Sequence, residues 1–152
     1  MSNHFLDTSG LVKHYHPEVG TSKVDSLWAD AGAKLFISRL SVVETVSVLA
    51  KKVRTGVISA ADFGLLRRRF FADLRNRRPV IVRTLVRHFQ EADRLLQQYG
   101  FTNSLHTLDA LQLAVALDLQ KRGLLDEVVA ADRVVVALAA LEGLKISNPE
   151  AP

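Results

Sequence analysis

The sequence contains no cysteine, and this absence excludes several classes of protein at once. Disulfide scaffolds, thiolate zinc sites and cysteine nucleophiles all need thiols, and a chain without them fits a reducing compartment without requiring one. No apolar run approaches the roughly 18 residues that a membrane-spanning helix needs. The start, Met1–Asp7, lacks the basic region and long apolar stretch of a signal peptide. We therefore expect a cytoplasmic protein without membrane segments.

Intrinsic disorder is also excluded, because the 152 residues are 48% hydrophobic and only 24% charged. A chain of this length is typical of one domain and is expected to bury roughly 70% of the surface that its unfolded form exposes. No internal repeat, low-complexity segment or linker interrupts the sequence. We therefore expect residues 1–152 to form a single domain.

Short apolar segments alternate with segments of helical periodicity along the whole chain. The predicted strands are 4–6, 35–37, 79–82, 128–130 and 144–146, and the predicted helices are 8–15, 17–31, 40–54, 60–74, 84–99, 105–121 and 133–142. This alternation predicts an α/β fold in which a mostly parallel sheet carries helices on both faces. Chemistry in such sheets gathers at the carboxyl ends of the strands.

Two of these helices are predicted from specific signals. Pro17 is suited to the first turn of the second helix, which Gly32 would end. The fifth helix is expected to bury the apolar residues that recur at helical spacing, which are Leu85, Phe89, Ala92, Leu96 and Tyr99.

Positive charge is concentrated in the middle of the chain, although the net charge is only +4. Residues 51–94, which we call the basic segment, contain twelve of the 20 Lys and Arg residues but only four of the 16 Asp and Glu residues. Most of these basic residues are Arg, which suits the recognition of phosphate groups. A solvated helix face is one interpretation of the segment, and a surface for a polyanion or an acidic protein is the other.

Two aspartates occupy equivalent positions at the ends of predicted strands. Asp7 directly follows the strand 4–6, and Asp132 follows the strand 128–130. Each of them could simply cap the helix that comes next. Because parallel strands end at the same edge of a sheet, the two carboxylates could also lie close together.

Two further acids lie on helices. Glu44 has Leu40 and Val48 one turn away on either side, so it borders an apolar stripe, where a carboxylate is rarely buried without a partner. The methylene groups of Glu44 could instead pack on the core while its carboxylate reaches water. Asp109 lies in the first turn of the helix 105–121, where the helix dipole favours a carboxylate.

Together, these four carboxylates are expected to converge on one edge of the sheet. Held close without a cation, they would repel one another, and one or more would take up a proton. Hard oxygen ligands without Cys select Mg²⁺ or Mn²⁺ rather than zinc. Such a cluster suits the attack of water on a phosphodiester, because the metal lowers the pKa of the water and neutralises charge on the phosphate. The basic segment would then hold the rest of the nucleic acid.

Six motifs occur in one order along nearly the whole chain. They are Phe5–Lys13 (FLDTSGLVK), Tyr15–Gly20 (YHPEVG), Ser41–Glu44 (SVVE), Leu108–Ala114 (LDALQLA), Ala131–Arg133 (ADR) and Leu144–Pro149 (LKISNP). No single motif is decisive, but the ordered set resembles the PIN-domain nucleases, in particular the VapC-type toxins.

The resemblance implies a PIN fold, which is a three-layer sandwich, and cleavage of RNA that depends on Mg²⁺ or Mn²⁺. It also implies that Asp7, Glu44, Asp109 and Asp132 form the acidic catalytic cluster. Asp7 and Asp109 are then the direct metal ligands, and the other two acids complete the site directly or through waters. VapC toxins are typically neutralised by a small co-encoded antitoxin and often dimerise, so both kinds of partner are expected.

One position departs from the family pattern. The family often has Ser or Thr two residues before the fourth acid, and this chain has Ala130. A hydroxyl that positions metal or water would then be missing unless Ser9 compensates. The alternative hypothesis is therefore a catalytically weak PIN-fold module that binds RNA or a protein without turnover. His106, three residues before Asp109, either supports that acid or is simply exposed.

Overall fold

Five strands form one parallel sheet in the computed structural model of the protein, which describes all of residues 1–152. The strands are β1 (Ser2–Leu6), β2 (Ala33–Ser38), β3 (Val80–Val82), β4 (Glu127–Val129) and β5 (Ile146–Ser147). Their order is β3-β2-β1-β4-β5, and every neighbouring pair is parallel. All carboxyl ends therefore lie at one edge, with β1 in the centre of the sheet.

Seven helices cover both faces of the sheet. They are α1 (Thr8–Tyr15), α2 (Thr21–Ala29), α3 (Arg39–Arg54), α4 (Ala60–Arg75), α5 (Val86–Tyr99), α6 (Thr107–Lys121) and α7 (Arg133–Leu141). Neighbouring side chains of β1 point to opposite faces. Phe5 packs in a core built with α5, α6 and α7, whereas Leu6 packs in a second core built with α1 to α4. The prediction of a three-layer α/β fold is thus confirmed, and no helix is both long and apolar enough to cross a bilayer.

The second helix begins later than the sequence predicts. α2 starts at Thr21, and Pro17 lies in the loop before it. Gly20 precedes the helix with φ of +91°, a conformation that glycine adopts without steric cost. A Cβ at Gly20 would come within 2.8 Å of the carbonyl oxygen of Pro149, so the close approach requires glycine as well. This loop therefore packs against the segment that follows β5.

The predicted buried face of α5 is wrong only at its first two residues, since the other three are buried or pack against the core. Phe89 is 54% exposed and Leu85 is 39% exposed, whereas His88 and Leu95 are buried. His88 is buried because both of its ring nitrogens have polar partners. Its Nε2 lies 2.9 Å from Asp118 Oδ2 on α6, and its Nδ1 accepts a hydrogen bond from the backbone N–H of Leu85. A prediction from apolar periodicity cannot detect a polar pair of this kind.

The basic segment does not form a single surface. Arg78 donates hydrogen bonds into the main chain around α2 and β2. Arg87 pairs with Asp118 at 3.0 Å, and Arg94 pairs with Glu142 at 2.7 Å. These three arginines are therefore engaged in tertiary contacts rather than presented to a nucleic acid.

We predict that Arg78→Met lowers the free energy of unfolding by about 2–4 kcal/mol. The guanidinium donates to four backbone carbonyls, those of Leu27, Trp28, Asp30 and Ala33. Without it, these acceptors lose their donor. Urea denaturation followed by circular dichroism measures the change, and Arg75→Met on the exposed end of α4 is the control with little expected effect. A loss below about 1 kcal/mol would show that water replaces the guanidinium.

Candidate active site

The four acids selected from the sequence line one cleft at the carboxyl edge of the sheet. Asp7 directly follows β1, and Asp132 follows β4 after two residues. Glu44 belongs to α3, and Asp109 to the first turn of α6. The cleft has a volume of about 370 Å³, and all four residues are part of its lining. Elements from both halves of the chain therefore meet at this point.

Asp7 is the most buried of the four, with 5% of its surface exposed. Its Oδ2 accepts hydrogen bonds from the Ser9 hydroxyl at 2.6 Å and from the Ser9 backbone N–H at 3.1 Å, so it also caps α1. Burial, with a smaller contribution from the negative charges of Glu44 and Asp109, raises the pKa of Asp7 to about 6 against the lowering effect of the Ser9 hydrogen bonds. The capping role and a place in the cleft are thus compatible.

Asp109 is half-buried in the same cleft. Its Oδ2 accepts a hydrogen bond of 3.3 Å from the backbone N–H of His106. Burial raises the pKa of Asp109, and the nearby Asp132 and Glu44 add to the rise, whereas the His106 contacts oppose it. The His106 side chain is 84% exposed with Nδ1 3.5 Å from Asp109 Oδ2, so it lies at the rim rather than inside the site.

Asp132 is exposed and caps α7. Its Oδ1 accepts hydrogen bonds from the backbone N–H groups of Val134 at 2.9 Å and Val135 at 3.0 Å. The cap uses only one of the two carboxylate oxygens. Helix capping, which the sequence offered as an alternative to a site role, is therefore observed together with a position in the cleft.

Ser9 connects the first acid to the fourth. Its hydroxyl donates to Asp7 and accepts from the backbone N–H groups of Ala131 at 3.0 Å and Asp132 at 3.1 Å. Ala130, where the family often has a hydroxyl, is fully buried in the core. The Ser9 hydroxyl thus links the carboxylate of the first acid to the backbone of the fourth motif.

Glu44 is held by a buried polar network. Its Oε2 accepts hydrogen bonds from the Thr8 hydroxyl at 2.7 Å and from Gln112 Nε2 at 3.1 Å. The same Gln112 amide group donates to Ser41 Oγ at 2.7 Å, and its Oε1 accepts from Ser38 Oγ at 2.7 Å. Glu44 is therefore fixed through a side chain of α6, the helix that also carries the third acid.

Gln112 and Thr8 also belong to the site, although neither was expected there from the sequence. A signal for Gln112 was present, since it is the only polar residue between Ala110 and Leu117 in the sequence of α6. A buried amide must find hydrogen-bond partners, so a single Gln within an apolar helix indicates a polar network nearby. Which groups it contacts depends on how α1, α3 and α6 pack.

The chemistry of the cleft suits a hard divalent cation. No three His, Asp or Glu side chains lie together at metal-ligand spacing. Mg²⁺ is usually held by one or two carboxylates together with waters, so two acids of the cleft would suffice as direct ligands. The donors are all carboxylate and hydroxyl oxygens, which Mg²⁺ and Mn²⁺ prefer. Burial raises the pKa values of Asp7 and Asp109, and the neighbouring carboxylates add to the rise; a cation in the cleft would offset both effects.

Residues 4–124 match the family model of the PIN domain, and this match covers most of the chain. The protein therefore belongs to the PIN domain family, as its motifs indicate. The residues beyond the match supply β4, α7 and β5, which complete the sheet and carry Asp132. A search of curated protein sequences finds no match.

Solved structures share this fold at low sequence identity. Mycobacterium tuberculosis VapC20, described as a sarcin–ricin loop cleaving toxin, has a TM-score of 0.66 and 18% identity over 89% of this chain and 94% of that chain. A toxin–antitoxin complex from Klebsiella pneumoniae has a TM-score of 0.61 and 17% identity over 96% of this chain and 97% of that chain. VapBC2 from Rickettsia felis, bound to a DNA fragment from its promoter, has a TM-score of 0.63 and 15% identity over 96% of this chain and 98% of that chain. These similarities establish the fold alone.

We predict that Asp7→Asn stabilises the metal-free protein at pH 7.5 but not at pH 4. Because burial raises the pKa of Asp7 from 3.8 to about 6, the folded state binds this proton more tightly than the unfolded chain. The charged carboxylate therefore destabilises the fold above about pH 6, by up to about 3 kcal/mol, and this effect disappears below about pH 4. Asparagine keeps the helix cap without the charge.

Urea denaturation in the presence of a chelator measures the free energy of unfolding of Asp7→Asn and of the wild type at the two pH values. Asp132→Asn is the matched control, since it replaces an exposed capping aspartate and should alter stability little at either pH. An equal gain from Asp7→Asn at both pH values would mean that asparagine acts through packing rather than through the lost charge.

Proposed function

We propose that this PIN-domain protein is a metal-dependent endoribonuclease and the toxin of a toxin–antitoxin pair. The observation that carries the proposal is the convergence of Asp7, Glu44, Asp109 and Asp132 on one cleft at the carboxyl edge of the sheet. These are the four acids that the family motifs select. Their spatial meeting favours a shared chemical role over four separate helix-capping roles.

In this proposal, Asp7 and Asp109 hold the metal, and Glu44 and Asp132 complete the site. A bound Mg²⁺ or Mn²⁺ would lower the pKa of a coordinated water and neutralise charge on the scissile phosphate. Ser9 orients the Asp7 carboxylate through its short hydrogen bond. Protons compete with the cation for Asp7, because the pKa of this carboxyl lies near 6, so metal affinity falls as the pH drops.

The proposed partners are RNA, a small antitoxin and a second copy of the chain. VapC20, which shares the fold, is described as a toxin that cleaves the sarcin–ricin loop. The structures from Klebsiella pneumoniae and Neisseria gonorrhoeae are a toxin–antitoxin complex and FitAcB, respectively.

A catalytically weak module that binds RNA or protein is the second candidate. Ala130 favours it, because a buried methyl group stands where the family often has a hydroxyl. Such a module would bind RNA with a steep salt dependence and show no turnover with either metal. Metal-dependent cleavage that a substitution in the acidic cluster abolishes would exclude it.

The direct test compares RNA cleavage by the partner-free protein in Mg²⁺, in Mn²⁺ and in chelator. We expect Asp109→Asn to reduce cleavage by at least about 100-fold, because a metal ligand and its charge are lost. Asp93→Asn is the charge-matched control on the exposed face of α5 and should retain activity. Wild-type activity in Asp109→Asn would refute the assigned site.

A further variant tests the network that holds Glu44. Gln112→Leu removes the amide that orients this carboxylate, and we expect kcat to fall by about 10- to 100-fold while KM for RNA changes little. Gln120→Leu on the opposite end of the same helix is the control, since its amide contacts only the Gly143 carbonyl. A rise in KM with unchanged kcat would assign Gln112 to RNA binding instead.

A further inference from the structure

Lys13 is a buried lysine in the same cleft as the acids. Its side chain is only 3% exposed, although it lies on α1 within two turns of Asp7. Lysine is rarely buried unless its charge is paired. The Lys13 ammonium group is paired twice, with Glu18 Oε1 at 3.1 Å and with Glu150 Oε1 at 2.6 Å. The Lys13 ammonium group is thus a positive charge among the residues that line an acidic cleft.

The acidic partners of Lys13 are more exposed than the lysine itself. The Glu18 side chain is 31% exposed and also contacts Lys52 Nζ at 3.4 Å, and the Glu150 side chain is 45% exposed. Glu150 belongs to residues 148–152, the segment that follows β5 and reaches the cleft from the surface. The lysine is therefore fixed in a helix, whereas the Glu150 carboxylate can turn away into water.

Segment 148–152 has its own anchors beside the cleft. Pro149 packs against Gly20, and the Ala151 carbonyl accepts a hydrogen bond from Lys23. The Asn148 side chain accepts from the backbone N–H of Glu150 at 2.9 Å. These contacts hold the backbone of the segment near the cleft without involving the Glu150 carboxylate, so that carboxylate can leave Lys13 while the segment stays in place.

The lining of the cleft carries more negative than positive charge. Its lining includes six carboxylates, those of Asp7, Glu18, Glu44, Asp109, Asp132 and Glu150, and only two basic residues, Lys13 and Lys52. An RNA chain that enters this cleft brings several phosphate charges toward the acids. Only these two amines can bind a phosphate within the cleft, and both are held by carboxylates in the free protein.

We propose that Lys13, assisted by Lys52, forms an anion subsite for an RNA phosphate next to the scissile one, and that Glu150 occupies this subsite until RNA displaces it. A carboxylate and a phosphodiester both offer anionic oxygens to an ammonium group, so they compete for the same position. The identity of the anion rests on the proposed ribonuclease function. Glu150 thereby lowers RNA affinity through a contact within the chain.

A double-mutant cycle in an Asp109→Asn background tests this subsite without cleavage. The probe is a fluorescein-labelled single-stranded RNA 12-mer of mixed sequence, and anisotropy in Mg²⁺ gives Kd. We expect Glu150→Gln to tighten binding by about 3- to 10-fold and Lys13→Met to weaken it by about 10-fold. The gain from Glu150→Gln should vanish when Lys13→Met is also present. Lys13→Met should also reduce the slope of log Kd against log salt by about 0.7.

Asp93→Asn controls for the loss of one negative charge elsewhere and should change Kd less than about twofold. The proposal is overturned if Glu150→Gln changes Kd equally with and without Lys13→Met. It is also overturned if Glu150→Gln changes Kd no more than Asp93→Asn does, because the effect would then be a general change in net charge. Unchanged binding by Lys13→Met would overturn it as well, as would failure of every variant to bind the probe. If thermal melting shows that Lys13→Met does not fold, Lys13→Gln replaces it with the same expected loss of coupling.

The cleavage assay on the otherwise unchanged chain separates this proposal from the proposed function. Metal-dependent cleavage without coupling between Lys13 and Glu150 would refute the anion subsite but support the nuclease function. Coupling without any cleavage would keep the anion subsite and favour the binding module over the enzyme.

Discussion

The burial of a carboxylate beside other carboxylates at the end of β1 is the physical constraint on which this structure depends. Asp7 is buried there, and burial together with Glu44 and Asp109 raises its pKa to about 6. The same carboxylate caps α1, so its position at the end of β1 also stabilises the start of that helix. In the proposed function, a bound cation would neutralise this charge, so the arrangement that destabilises the free protein would favour metal binding.

Neutral hydrogen-bonding groups fix the acids in position. Ser9 contacts both Asp7 and the backbone beside Asp132, and Gln112 connects Glu44 to α6. Such groups orient a carboxylate without adding charge of either sign, so they keep the cleft negative. Positive charge enters the cleft only through Lys13 and Lys52, and both amines are already paired. The arginines of the basic segment divide between tertiary contacts and exposed positions.

Much of the fold could be predicted because local signals and tertiary structure agree. The alternation of short apolar strands with helices predicted the parallel sheet, and the predicted helix 8–15 matches α1 residue for residue. Prediction failed where a distant contact decided the outcome. Gly20, which precedes α2, lies against Pro149, and His88 takes the buried position at the start of α5 because it pairs with Asp118. Neither partner is near in sequence, so no window of local periodicity contains the information.

The sequence by itself determined the family, the layer architecture and the identity of the four acids, because each is encoded in residue type, order and spacing. Only the tertiary structure decided which groups surround those acids. Gln112 reaches Glu44 across 68 positions, and Glu150 reaches Lys13 across 137. Hydrogen bonds and ion pairs act over about 3 Å, whereas their partners are brought to that distance only when the sheet and both helical layers have assembled.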